Sequence, residues 1–68
     1  MTIRGTYKTD SNFIYVYTED TLYTLAKNSS DWGSVRVGNR TPQGPILDQE
    51  TFDRWKSECT KEGEFELS

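Results

Sequence analysis

Residues 13–18 read Phe-Ile-Tyr-Val-Tyr-Thr, and this stretch decides the fold because every residue in it is aromatic or β-branched. Residues of these types favour the extended backbone of a strand. Side chains alternate between the two faces of a sheet, so the three aromatic rings share one face while Ile14 and Val16 share the other. Both faces are apolar, which predicts a central strand that is covered at least in part on both sides.

Segments with strand character flank this one on both sides. Residues 2–8 alternate between inward and outward positions, which is typical of a half-buried strand, and Asp-Ser-Asn at 10–12 is a turn cluster. Residues 21–27 fit either one helical stripe or one strand face. We favour a strand, because threonine and aromatic residues suit a pleated surface and a seven-residue helix nucleates poorly. Residues 34–37 predict a short fourth strand.

The C-terminal third has the sequence pattern of a helix. Asp48 is a suitable N-cap, since its carboxylate accepts backbone N–H groups of the first turn. The pattern predicts a helix over residues 49–61 with Gly63 as its stop, and one buried stripe at helical spacing formed by Phe52, Trp55 and Cys59. Residues 64–67 alternate again and predict an edge strand with an acidic outer face.

Together these elements predict one small α+β domain over residues 1–68. The expected architecture is an antiparallel meander of three to five strands, with the helix packed on it. Whether the sheet is open, curled or closed into a barrel is not decided by the pattern. Nine aromatic side chains among 68 residues favour an aromatic core, because so short a chain buries only about 60% of its surface.

The composition restricts the chemistry. The chain has one cysteine, Cys59, and no histidine, so it cannot form an intrachain disulfide or use Cys/His or Ser/His/Asp catalysis. The usual ligand sets of structural zinc sites are also excluded. Carboxylates at predicted loop ends, namely Asp10, Glu19, Asp20 and Asp31, are the remaining candidates for acid/base or metal chemistry. Short chains rarely enclose the required pocket, so we expect no enzymatic activity and no cofactor or metal.

The charge distribution favours a protein partner. The formal net charge is −3 and the pI is near 4.7. Residues 1–47 carry a net charge of +1 and residues 48–68 a net charge of −4. This balance lacks the basic footprint of a nucleic-acid binder and favours a basic protein partner. We find no apolar run of a signal peptide or membrane span and therefore expect a cytoplasmic protein, in the host cytoplasm if a phage encodes it.

Five side chains are candidates for partner contact. Trp32 lies in a predicted loop before Gly33, where it either anchors a partner or packs over the end of the sheet. Tyr15 and Tyr17 form either an interface patch or part of the core. Arg36 and Arg40 flank the turn at 38–39, as either a small binding patch or two solvated side chains.

These features favour a small non-catalytic protein-binding module. Short acidic single-domain chains are common among accessory proteins of phages and mobile elements, including inhibitors, and this association favours a protein that modulates or inhibits its partner. One alternative is a small β-barrel that binds nucleic acid or a nucleotide through tyrosines and arginines. Another is a homodimer or larger homo-oligomer that completes a marginal core between copies of the chain.

Overall fold

A computed structural model describes residues 1–67 as one sheet and one helix; Ser68, the last residue of the domain expected from the sequence, lies outside the described residues. The elements are β1 (Thr2–Thr9), β2 (Phe13–Tyr17), β3 (Thr21–Ala26), β4 (Trp32–Arg36), α1 (Gln49–Ser57) and β5 (Lys61–Glu66). All paired strands are antiparallel, in the order β4-β3-β2-β1-β5. The predicted α+β fold, a meander followed by one helix, is confirmed.

Strand β2 is covered on both faces, as its sequence predicts. Val16 is 0% exposed on one face and Tyr17 is 2% exposed on the other. The helix covers the second face, where the rings of Tyr17 and Phe52 meet edge to face with centroids 5.6 Å apart. We call this the outer face; it carries Tyr15, Tyr17, Leu22 and Val35. Its burial explains how one helix stabilises so short a chain.

The opposite, inner face is concave. Its side chains include Ile3, Val16, Trp32 and Phe65. The ring of Trp32 from β4 contacts the ring of Phe65 from β5, although these strands are the two edges of the sheet. The sheet is therefore strongly curled. It is not closed into a barrel, because the strand pairing in residues 1–67 does not join β4 to β5.

The helix is shorter than the sequence predicts. It ends at Ser57 rather than at residue 61, and strand β5 begins at Lys61 rather than at residue 64. Gly63 is not a helix stop but lies within β5, opposite Gly5 of β1. The physical reason is long-range pairing: β5 forms backbone hydrogen bonds with β1 over its whole length, and these bonds outweigh the local helix signal.

The remaining boundaries differ by one or two residues. Strand β1 continues to Thr9, whereas β2 and β3 each end one residue early, at Tyr17 and Ala26. Strand β4 spans 32–36 instead of 34–37. Trp32 is therefore the first residue of a strand and does not lie in a loop. Pairing of Trp32 with Leu25 on β3 extends the strand backwards through Gly33.

Candidate functional site

An apolar groove lies between the outer face of the sheet, the segment 41–47 and helix α1. It encloses about 790 Å³, and its apolar lining is formed by Tyr15, Leu22, Val35, Ile46, Leu47 and Trp55. Concave apolar sites with a few polar groups are the usual places where proteins bind ligands or peptide segments. The groove is therefore the candidate functional site of this protein.

Backbone hydrogen bonds hold the segment that forms one wall of the groove. The Gly38 N–H donates to the Leu47 carbonyl at 2.8 Å, and the Leu47 N–H donates to the Asn39 carbonyl at 3.0 Å. Gly38 has φ of +94°, a conformation that glycine adopts without strain. The Arg40 guanidinium donates to the Gly44 carbonyl at 2.7 Å. This wall is thus built before any partner binds.

Trp55 reaches the rim of the groove because the predicted helical stripe is only partly buried. Phe52 is fully buried, but Trp55 is 36% exposed, and Cys59 lies beyond the end of the helix. The helix packs through its Phe52 side, so the space between Trp55 and Leu22 is left open and becomes the groove. Periodicity alone cannot separate these two sides of one short helix.

The groove continues towards the turn between β1 and β2. A smaller hollow of about 410 Å³ shares Tyr15, Leu22 and Trp55 with it and is bordered by Lys8 and Asp10. Asp10 accepts hydrogen bonds from the backbone N–H groups of Asn12 and Phe13 at 2.8 and 2.7 Å, and these bonds lower the pKa of the Asp10 carboxyl. The Tyr15 hydroxyl also donates to Asp10, at 3.1 Å. This end of the site therefore carries an ionised carboxylate beside the Lys8 ammonium, which itself lies 3.6 Å from Glu58.

The wall beside the helix carries a fixed negative charge. The Asp48 carboxylate accepts the Thr51 N–H at 2.7 Å, as an N-cap does. Hydrogen bonds from the hydroxyl and the backbone N–H of Thr51 lower the pKa of Asp48. Asp48 is the charged side chain in the lining of the main groove. The wall beside the helix is thus electrostatically suited to a cationic group.

The five residues proposed from the sequence do not share one surface. Tyr15 lines the groove, whereas Tyr17 is buried against Phe52 and contributes mainly to the core. Trp32 is half-buried on the inner face. Arg36 pairs with Asp20 at 3.1 Å, and Arg40 holds the loop wall. Sequence reasoning missed Ile46 and Trp55 as exposed groove residues; the prolines at 42 and 45 were the signal that this segment leaves the sheet.

Residues 1–67 lack two other features that would indicate a function, a metal cluster and a membrane-spanning helix. Within residues 1–67, no three Asp, Glu, Cys or His side chains are grouped to hold a metal ion. Over the same residues, no helix has the length and apolar character needed to cross a membrane. No protein-family model, curated protein or solved structure matches the chain. The geometry of the groove is therefore the basis for proposing a function.

Proposed function

We propose that the protein is a non-catalytic binding module that holds an extended segment of a partner protein in the groove. The observation that carries this proposal is the exposure of two large apolar side chains at the groove. Ile46 is 57% exposed and Trp55 is 36% exposed. Apolar side chains grouped around a concave surface are typical of a protein interface, and tryptophan is enriched among the residues that dominate binding energy.

The rigidity of the site supports this proposal. The bonds from Gly38 and Leu47 fix one wall, and packing of Phe52 on Tyr17 fixes the helix that forms the other. A preformed site loses little conformational entropy when a partner binds, so more of the contact energy contributes to affinity. Tyr15 and Trp55 supply large, stiff contact surfaces between these walls.

We further propose that binding modulates or inhibits the partner in the cytoplasm. The support is compositional: short acidic single-domain chains are common among accessory proteins of phages and mobile elements that act in this way. The net charge of −3 favours a partner segment with basic residues.

Selection of peptides tests this proposal directly. A phage-displayed library of random dodecapeptides is selected against the immobilised protein, and the enriched peptides are measured against Trp55→Ala and Phe13→Ala variants. Phe13 is a matched control, because it is 40% exposed but does not line the groove. We expect Trp55→Ala to weaken binding by roughly a hundredfold or more and Phe13→Ala to leave it unchanged.

Two outcomes contradict the proposal. The first is that no peptide is enriched, or that the enriched peptides bind the Trp55→Ala variant as tightly as the natural chain. The second concerns a second copy of the chain as the occupant. If sedimentation shows a dimer that Trp55→Ala converts to a monomer, the groove serves self-association and not a partner protein.

A further inference from the structure

We infer that the partner segment joins the sheet as a sixth strand along the edge of β4 and places alternate side chains in the groove. This inference rests on the proposed function and specifies the partner: an extended segment with apolar residues at alternate positions and a basic residue on the same face. Strand addition to a sheet edge gives affinity through backbone hydrogen bonds and selectivity through pockets for alternate side chains.

At every second residue of β4, the backbone N–H and C=O point away from β3, towards the open edge of the sheet. The Val37 N–H donates to the Asp20 carbonyl at 2.9 Å, in the same register that pairs Leu22 with Val35. Bonded and non-bonded pairs alternate along antiparallel strands, so Val35 bonds to β3 while the N–H and C=O of Ser34 point away from it. No strand lies beyond β4 in the sheet formed by residues 1–67. Ser34 is also exposed, so its backbone is accessible to an added strand.

The other edge of the sheet is protected against such pairing. The Leu67 N–H donates to the Met1 carbonyl at 2.7 Å, and the alternation from this bond directs the backbone of Glu62 and Glu64 away from β1. Charged side chains at outward positions discourage strand addition. In β4, by contrast, the outward positions Trp32 and Ser34 carry no charge, and the charge of Arg36, the remaining outward position, is paired with Asp20. The sheet therefore has one protected edge and one that is open to pairing.

The groove opens at this unprotected edge. Gly33, Ser34 and Val35 all contribute to its lining. The side chain of Ser34 points to the inner face, so its contribution places the mouth of the groove at the edge of β4. A residue of an added strand that lies opposite Gly33 or Val35 shares their face and points into the groove, towards Ile46 and Trp55.

Charge complementarity specifies the remaining feature of the segment. Asp48 is the charged residue of the lining, and one of its oxygens, Oδ1, accepts the Thr51 N–H. A carboxylate accepts several hydrogen bonds, so the group has capacity for a lysine or arginine of the partner. The basic residue is expected on the same face of the segment as its apolar residues, because Asp48 lies in the groove.

A synthetic peptide tests the inference. The probe is the acetylated, amidated heptapeptide Lys-Thr-Val-Thr-Val-Thr-Lys, which places lysine and valine on one face, and binding is followed by amide chemical shifts of the ¹⁵N-labelled protein. Ser34→Pro removes the outward N–H at an edge position that tolerates proline, and Glu64→Pro, which removes an outward N–H at the other edge of the sheet, is its control. We expect roughly tenfold weaker binding for Ser34→Pro and unchanged binding for Glu64→Pro. In the natural chain, the Ser34 amide should exchange more slowly when the peptide is bound than when it is absent.

Two companion measurements complete the test, and the first of them needs no variant of the protein. A heptapeptide that is N-methylated on the residues facing β4 is titrated against the unaltered protein and should bind roughly tenfold more weakly. Asp48→Asn retains the helix cap but removes the charge. It should therefore weaken binding of the lysine heptapeptide and leave unchanged the binding of a version with threonine in place of lysine.

The inference and the proposed function fail in different ways. If the heptapeptide does not bind, or if N-methylation and Ser34→Pro leave its affinity unchanged, strand addition is wrong. If peptides from the displayed library still require Trp55 for binding, the groove remains supported as the binding site. If neither the heptapeptide nor any library peptide requires Trp55, both proposals fail.

Discussion

Trp32 and Phe65 lie edge to face with their ring centroids 5.9 Å apart, although they come from the two opposite edges of the sheet. Phe65 also contacts Tyr7, at 5.2 Å between centroids. These three rings therefore hold the curled sheet at one corner and cover part of its inner face. Aromatic pairs in this geometry stabilise a fold beyond the area they bury.

Removal of the Trp32 ring should destabilise the fold. Trp32→Ala leaves Phe65 without its partner across the corner, and because the ring is half-buried we expect a loss of about 2 kcal/mol in the free energy of unfolding. Urea denaturation measures this loss, with Phe13→Ala as an exposed aromatic control. An unchanged free energy of unfolding together with lost peptide binding would contradict the packing role and support Trp32 as a partner anchor.

Gly5 should tolerate no side chain. A Cβ atom there would overlap the backbone carbonyl of Tyr17, which cannot move without distorting β2, so we expect Gly5→Ala to cost about 3 kcal/mol or more. Gly33→Ala is the control, because the closest atom to its Cβ would be the Thr24 side-chain hydroxyl, at 3.2 Å, and the Thr24 carbonyl would lie at an ordinary contact distance of 3.9 Å. Thermal unfolding of both variants checks the difference. Equal stability of the two would contradict the close approach of β1 and β2.

The phenol of Tyr17 should limit stability in alkali. Burial raises the pKa of Tyr17 above its usual value of 10.0. The folded chain therefore keeps this proton when the unfolded chain has lost it, so stability is full below pH 10.0 and falls as the pH rises through the folded value. Tyr17→Phe should make the free energy of unfolding less sensitive to pH in this range. If the free energy of unfolding falls equally steeply with pH in the natural chain and in Tyr17→Phe, burial of the Tyr17 hydroxyl is contradicted.

The cap at Asp48 should contribute stability except in acid. Hydrogen bonds from Thr51 lower the pKa of Asp48 from its usual value of 3.8, so the part of this contribution that depends on the carboxylate charge is full above that value and is lost as the pH falls through the folded pKa. Asp48→Ala should lower the midpoint of thermal unfolding at pH 7, and Asp48→Asn should retain most of it. An unchanged midpoint in Asp48→Ala at pH 7 would show that the cap does not stabilise the helix.

Local patterns predicted the elements but not how the helix sits on the sheet. The two apolar faces of β2 and the cap at Asp48 are properties of short segments, and both are present in the structure. The early end of the helix at Ser57 depends on pairing of β5 with β1, far away in the sequence. The exposure of Trp55 depends on how this shortened helix packs, so its periodicity gave a misleading prediction of burial.

The candidate site was less predictable than the fold for the same reason. The sequence indicates Tyr15 as a contact residue because its strand is apolar on both faces, and only one of these faces can be covered by the single helix. Ile46 and Trp55 come from a loop and a helix that meet only in the folded chain. Tryptophan is a residue type that often anchors a partner, but the sequence does not show that Trp32 packs on Phe65. That contact depends on the curl of the whole sheet.

The most direct test of the groove is a titration that observes both tryptophans at once. The most enriched library peptide is added to ¹⁵N-labelled protein, and the two indole N–H cross peaks are assigned with the single variants Trp32→Phe and Trp55→Phe. Binding in the groove predicts that the Trp55 cross peak moves with saturation while that of Trp32 stays in place. Movement of Trp32 alone, or of neither indole while the peptide binds, would contradict the groove as the binding site.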